Sequence, residues 1–192
     1  YFVSPTATLI DRATRAGCRL VQLRAKDLAP QDLRAEVLRA KAICAATQST
    51  FILNDFWELA LELGVDFVHL GQEDLDQADL KALRARGIRF GLSTHDEAEL
   101  ERALAQAPAY VALGPVFPTL LKKMKWGPQG LERLTDWKQR AGRTPLVAIG
   151  GLTPERARLA LLAGADSCAV VTDQVQAEDF EARTRAWIDA TR

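Results

Sequence analysis

The chain has 192 residues, 48% of them hydrophobic, and 25 Lys plus Arg balance 25 Asp plus Glu. That length suits one domain with a real core, and the absence of net charge leaves nothing to draw the whole surface to a nucleic acid or a membrane. No apolar run approaches the roughly 18 residues of a membrane span, so a cytoplasmic protein is expected. In chain order, the sequence opens on Tyr1-Phe2-Val3 without a Met, which leads one to expect a short preceding segment. Tyr1–Val3 reads as the first strand. Gly17 then precedes a second at Leu20–Leu23, and Leu33, Val37, Ala40 and Cys44 follow at helical spacing. A third strand is expected at Thr50–Leu53 and a fourth, after Gly64, at Phe67–Leu70. Leu80 and Leu83 mark a helix, Gly87 precedes a fifth strand at Phe90–Ser93, and Ala98 and Ala103 mark the next helix. Tyr110–Gly114 is the sixth strand. The segment Phe117–Gly130 lacks apolar periodicity, and long connections of that kind often act as lids. Leu146–Ile149 is the seventh strand. Thr153-Pro154-Glu155 gives an N-cap, a first-turn proline and a first-turn acid, and Gly164 precedes an eighth strand at Ser167–Val171. Gly17, Gly64, Gly87 and Gly164 stand where helix C-cap glycines belong, and Trp57, Trp137 and Trp187 fall on helices as packing residues. Cys18, Cys44 and Cys168 are scattered and set among apolar residues, as buried thiols would be; no close Cys or His pair suggests a zinc site.

The strand runs are short and continuously apolar, the pattern of strands buried on both faces. Such a β/α alternation closes into a barrel or opens into a doubly wound sheet. Even spacing, and the lack of Gly-x-Gly-x-x-Gly after the first strand, favour the barrel. The expected fold is therefore α/β: a compact single-domain (βα)8 TIM barrel over residues 1–192, with its active site at the C-terminal ends of the strands.

Polar residues and glycines cluster at those ends. Strand two leads to Gln22, Arg24 and Lys26; strand three to Asn54 and Asp55; strand four to His69 and then Gln72-Glu73-Asp74. Strand five leads to Ser93, Thr94 and His95, strand six to Thr119 and Lys122, strand seven to Gly150-Gly151, and strand eight to Thr172. Two carboxylates are a hard-oxygen set suited to Mg²⁺ beside substrate phosphates. Gly150-Gly151 before a helix start offers backbone N–H groups to another phosphate. One pyrophosphate with Mg²⁺ and one separate monophosphate would fit this rim. Taken singly, the residues also have plainer readings: Asp55 and Asp74 as helix caps, Gly150-Gly151 as a tight turn, His69 and His95 as structural hydrogen-bonding groups.

The motifs Val21-Gln-Leu-Arg-Ala-Lys26, Leu53-Asn-Asp55, Val68-His-Leu-Gly-Gln-Glu-Asp74, Gly91-Leu-Ser-Thr-His95, Leu113-Gly-Pro-Val-Phe-Pro-Thr119, Ala148-Ile-Gly-Gly151 and Ala169-Val-Val-Thr172 resemble the thiamine-phosphate synthase family, in order over almost the whole chain. The resemblance implies a β/α barrel transferase that uses Mg²⁺. It would join hydroxymethylpyrimidine diphosphate to thiazole phosphate and release pyrophosphate. By that resemblance Gln22, Arg24, Lys26, Asn54, Ser93 and Lys122 hold the pyrimidine diphosphate, with Leu23 and Ala25 in the same binding run, and Arg24, Lys26, Ser93 and Lys122 carry the catalysis. Asp55 and Asp74 hold Mg²⁺; Thr119, Leu120, Leu121, Gly150, Gly151, Val171 and Thr172 hold the thiazole phosphate. Partners are these small molecules, and a homo-oligomer is compatible with the resemblance. The chain departs from the family's Thr-x-Thr-Lys, carrying Thr119-Leu120-Leu121-Lys122, which removes one hydroxyl from the thiazole phosphate site. The alternatives are a thiazole tautomerase, which shares the barrel but not the paired aspartates, and a silent phosphate-binding paralogue.

Overall fold

The computed structural model describes residues 1–119 and 127–192. Eight parallel strands follow one another in chain order: β1 (Phe2–Ser4), β2 (Leu20–Leu23), β3 (Thr50–Asn54), β4 (Phe67–Leu70), β5 (Arg89–Thr94), β6 (Tyr110–Leu113), β7 (Leu146–Ile149) and β8 (Ser167–Ala169). The ring closes where the Val3 N–H donates to the Val170 carbonyl at 2.9 Å and the Val170 N–H to the Tyr1 carbonyl at 3.0 Å. Between and after the strands run helices α1 (Ala7–Arg15), α2 (Pro30–Thr47), α3 (Trp57–Leu63), α4 (Gln72–Gln77), α5 (Leu80–Ala85), α6 (Glu97–Ala105), α7 (Gly130–Ala141), α8 (Pro154–Leu162), α9 (Thr172–Val175) and α10 (Phe180–Ala190). This is the (βα)8 barrel that the strand pattern predicts.

The periodicities hold where burial drives them. Leu33, Val37, Ala40 and Cys44 are the buried stripe of α2. Thr153 caps α8 through its side chain, accepting from the Arg156 N–H, with Pro154 in the first turn. Gly17, Gly64, Gly87 and Gly164 all take positive φ, which a side chain would resist. On α6 the pattern is corrected: Ala98 is exposed, and Leu100 joins Ala103 on the buried face. Strands six and eight end earlier than expected, at Leu113 and Ala169, because the chain beyond each of them turns into rim loops. The three cysteines are free and buried. Trp137 is buried and donates its indole N–H to Thr94 Oγ1 at 2.9 Å, and Trp187 donates to Asp173 Oδ2 at 2.7 Å.

Two apolar layers result. The larger lies between strands and helices, and it takes in Leu23, Val68, Leu92, Leu113 and Leu134. The smaller fills the barrel with Val3, Ile52, Phe67, Tyr110, Val147 and Ala169. Because neighbouring residues along a strand face opposite layers, the residues that alternate with the outer core point into the barrel, and their last members surround its mouth. Among the described residues no helix is long and apolar enough to cross a membrane.

Candidate active site

Asp55 sits just past β3 in a left-handed conformation, φ 65°, which aspartate tolerates better than most residues. Its N–H donates to the His69 carbonyl at 2.8 Å, and this kink turns its carboxylate over the rim. There Asp55 Oδ2 meets Lys26 Nζ at 2.6 Å. The plainer reading of Asp55 as a helix cap fails, since α3 has no side-chain cap. Asp74 enters on the first turn of α4, and its Oδ2 accepts the Gly71 N–H at 3.0 Å. It has a capping role, then, but for a helix that starts at Gln72. Asp74 also lies within hydrogen-bond reach of Asp55. Burial first, and then the Asp55 charge and that hydrogen bond, hold the Asp74 carboxyl above its ordinary value, while the Gly71 N–H and Lys26 pull it down. Two carboxylates forced together beside one ammonium are undercompensated. Their hard oxygens fit a divalent cation such as Mg²⁺. Among the described residues no cluster of three or more His, Cys, Asp or Glu forms a metal cage, so a cation held here would fill its shell from substrate oxygens.

Behind the carboxylates the barrel carries a chain of hydrogen bonds. Gln22, 3% exposed, donates its amide to Tyr1 Oη. Tyr1 Oη lies 2.9 Å from Tyr110 Oη, which lies 2.7 Å from His69 Nδ1. His69 Nε2 is 2.8 Å from Ser93 Oγ, and Gln72 donates to the Ser93 carbonyl at 2.7 Å. The His69 and Tyr110 rings stack at 5.6 Å. Gly91 makes this stack possible, since a Cβ there would fall 2.1 Å from the Tyr110 ring. Burial lowers the His69 pKa from 6.5 to about 4, so the ring is neutral at pH 7. Asn54 is 4% exposed, and its Nδ2 is a buried donor without a partner among the described residues. A donor left in that state costs free energy unless a ligand accepts from it.

The other side of the mouth is built from backbone. The Val116 N–H donates to the Ile149 carbonyl at 2.9 Å and the Phe117 N–H to the Gly150 carbonyl at 3.0 Å, so the loop after β6 lies along the turn after β7. Gly150 and Gly151 have φ of 95° and 64°. A Cβ on Gly151 would lie 2.4 Å from the Pro118 carbonyl oxygen. Thr119, Val171 and Thr172 are half-buried at this rim. A cavity of about 220 Å³ opens nearby, lined in part by Val3, Ser4, Arg24, Val171, Thr172 and Gln176.

Known proteins resemble this chain along almost its whole length. The profile of the thiamine monophosphate synthase family matches residues 1–173. The chain belongs to that family. The thiamine-phosphate synthase of Rhizobium etli is 59% identical over 191 residues, covering 100% of this chain and 94% of that one. The thiamine-phosphate synthase of Neisseria meningitidis serogroup B is 46% identical over 187 residues, covering 97% and 91%. Among solved structures, thiamine phosphate pyrophosphorylase from Pyrococcus furiosus superposes with a TM-score of 0.87 at 25% identity, covering 99% of this chain and 94% of that one.

In this synthase-family chain, the rim gathers Gln22, Lys26, Asn54, Asp55, Asp74 and Ser93 on one side and Thr119, Gly150, Gly151, Val171 and Thr172 on the other. Arg24 is exposed and borders the cavity between β1, β2 and β8. Leu23 and Ala25 are 0% and 7% exposed and pack into the outer core, which leaves only their backbone for a substrate. Leu120, Leu121 and Lys122 lie outside the described residues, as does the middle of the lid-like segment. His69 and His95 are structural hydrogen-bonding groups, as the plainer reading has it; His95 Nδ1 lies 2.8 Å from Glu99 Oε2. Sequence reasoning named Gln72 at the rim and Gly91 within a motif without giving either a role, and it read Tyr1 and Tyr110 only as strand residues. Only the polar atoms of Tyr1 and Tyr110, set in strands whose other inward residues are apolar, could have flagged them.

Proposed function

We propose that this chain works as a thiamine-phosphate synthase in which the β2–β5 side of the mouth holds the pyrimidine diphosphate and the β6–β8 side holds the thiazole phosphate. The observation that carries the division is the meeting of Asp55, Asp74 and Lys26 at one side of the rim, opposite the glycine-built turn. The carboxylates would hold Mg²⁺, which when bound neutralises charge on the departing pyrophosphate. Lys26, with Arg24, adds positive charge toward the same leaving group, and the resemblance gives Lys122 the same role. Asn54 Nδ2 offers its unpaired hydrogen bond to the diphosphate substrate. Gln22 and Ser93, fixed from behind by Tyr1 and His69, face the pyrimidine.

The protein supplies no nucleophile in this reading, because the thiazole nitrogen attacks the carbon that bears the diphosphate. What the protein contributes is charge stabilisation and alignment of two substrates. On the second side, the N–H groups around Gly150-Gly151 and the hydroxyls of Thr119 and Thr172 receive the monophosphate. A cytoplasmic location belongs to the same reading, and three free buried thiols fit a reducing compartment. The paired aspartates favour synthesis over tautomerisation. The test is condensation of the two purified substrates, followed by pyrophosphate release with Mg²⁺ and with excess chelator. Stoichiometric pyrophosphate and thiamine phosphate, lost on chelation, are expected; tautomerisation of a thiazole without pyrophosphate release would point to the other branch.

A further inference from the structure

We propose that Arg156 is a positioning residue that clasps the loop after β6 to the Gly150-Gly151 turn and so sets the spacing of the thiazole-phosphate donors. Arg156 lies on the first turn of α8, half-buried. Its Nη1 donates to the Gly151 carbonyl at 2.7 Å, and its guanidinium carbon sits 5.0 Å from the centroid of the Phe117 ring. One planar group thus touches both loops at once.

The junction it spans is tight but built from freely rotating parts. Gly151 has φ 64°, and a Cβ there would fall 2.7 Å from the Phe117 carbonyl oxygen. A glycine in that conformation has no side chain to hold it, and it gives up more backbone entropy than any other residue on being fixed. Phe117 leads within two residues to Thr119, so the hydroxyl and the glycine N–H groups that meet one phosphate ride on separate loops. Two backbone hydrogen bonds, Val116 to Ile149 and Phe117 to Gly150, align those loops up to Gly150. Arg156 extends the alignment to Gly151. Arginine can do this because a delocalised, flat guanidinium stacks on a ring and donates in its own plane at once; an ammonium cannot.

The clasp rests on the assignment of Gly151 and Thr172 to the thiazole phosphate, and the experiment separates the two. Steady-state kinetics on both substrates would compare Arg156→Ala, Arg156→Lys, Phe117→Leu, the double variant Arg156→Ala/Phe117→Leu, and Thr172→Ala as benchmark, each with its thermal midpoint. Arg156→Ala should raise the thiazole phosphate KM about tenfold, leaving kcat and the pyrimidine diphosphate KM within about twofold. Arg156→Lys should behave like Arg156→Ala, and the double variant should be no worse than Arg156→Ala alone, since the two side chains act as one contact. An unchanged thiazole phosphate KM, an equal rise in both KM values, recovery by Lys, or full additivity overturns the clasp. If Thr172→Ala also leaves the thiazole phosphate KM unchanged, the assignment of this side of the mouth falls with it; if Thr172→Ala raises it and Arg156→Ala does not, only the clasp falls.

Discussion

The two sides of the barrel mouth are made of different material. On the β2–β5 side, the candidate chemistry sits in side chains: Gln22, Asp55, Asp74 and Ser93 are held by hydrogen bonds and the Lys26 ion pair, and the buried Asn54 amide lies in the same group. On the β6–β8 side it sits in backbone: Gly114, Gly150 and Gly151 have no room for a Cβ, and two loops lie against each other through main-chain hydrogen bonds. The first side is damaged by removing atoms and the second by adding them. A diphosphate beside Mg²⁺ calls for opposed charges at defined points, whereas a monophosphate is well served by N–H groups, which only close backbone approach can deliver.

The sharpest way to break this contrast is to add a single methyl group. Gly151→Ala would place a Cβ 2.4 Å from the Pro118 carbonyl oxygen while holding an L-residue at φ 64°. The turn must move, and a misplacement of about 1 Å can cost on the order of 100-fold. Steady-state kinetics should show kcat/KM for thiazole phosphate falling by about that factor, with pyrophosphate binding by calorimetry within a few-fold of the parent. Near-normal use of thiazole phosphate would show that the turn does not touch it.

Subtraction on the opposite side comes next in size. Asp55→Asn and Asp74→Asn should each lower kcat/KM roughly 10- to 150-fold, since a hydrogen bond or contact to a charged group is worth about 1.5–3 kcal/mol. Circular dichroism should show the fold intact, because neither carboxylate is part of the core. The pair should differ in one respect. Asp55→Asn releases Lys26 from its 2.6 Å partner, whereas Asp74→Asn removes a carboxyl that burial and then the Asp55 charge hold above its ordinary value. Asp74→Asn should therefore be the more stable of the two in thermal melts, and the reverse order would mean that the carboxylates do not repel.

A glycine on the side-chain half tests whether the contrast is complete. Gly91→Ala would drive a Cβ to 2.1 Å from the Tyr110 ring, and Tyr110 cannot swing away without breaking its bonds to Tyr1 and His69. Overpacking of this kind costs about 1–3 kcal/mol, or roughly 2–12 °C in melting temperature for a chain of this size. A smaller drop would mean that the Tyr110 chain is loosely held.

The same contrast explains what the sequence could show. Strands buried on both faces write themselves as apolar runs, so all eight strands were legible; their ends were less so, as at Gly114 and Val170, where glycine and valine serve loop and strand equally well. Asp55, Asp74 and Lys26 were legible only as a set, because charged residues recur at consecutive strand ends; taken singly, a carboxylate there reads equally well as a helix cap, which Asp74 also is. The Tyr1–Tyr110 contact was not, because its partners stand 109 positions apart and look like ordinary strand aromatics. Gly91 and Gly114 looked like plain strand residues, and Arg156 like one more charge on a helix, since no local pattern records what a missing Cβ or a guanidinium will face across the barrel.

The smallest expected effect concerns pH. Burial holds the His69 pKa at about 4 in the folded protein, below its ordinary 6.5. The unfolded chain therefore takes up this proton first as pH falls, and linkage makes the native state lose stability between about pH 6.5 and 4, with the full contribution present above that window. Asp74 works in the opposite sense at lower pH. Its carboxyl is held above 3.8, so the folded state protonates it early, and acidification relieves the repulsion from Asp55. Urea midpoints at pH 7 and pH 5 should therefore fall with acidification in the parent and fall less in His69→Asn, even though the variant, having lost its bonds to Tyr110 and Ser93, starts lower. When the series is carried on below pH 5, the acid loss in Asp74→Asn should exceed that of the parent, because the compensating carboxyl is gone. Parallel slopes in the parent and His69→Asn would mean that His69 is not shielded from water, and that the hydrogen-bonded floor beneath Ser93 is more open than the packing of Tyr110 against Gly91 allows.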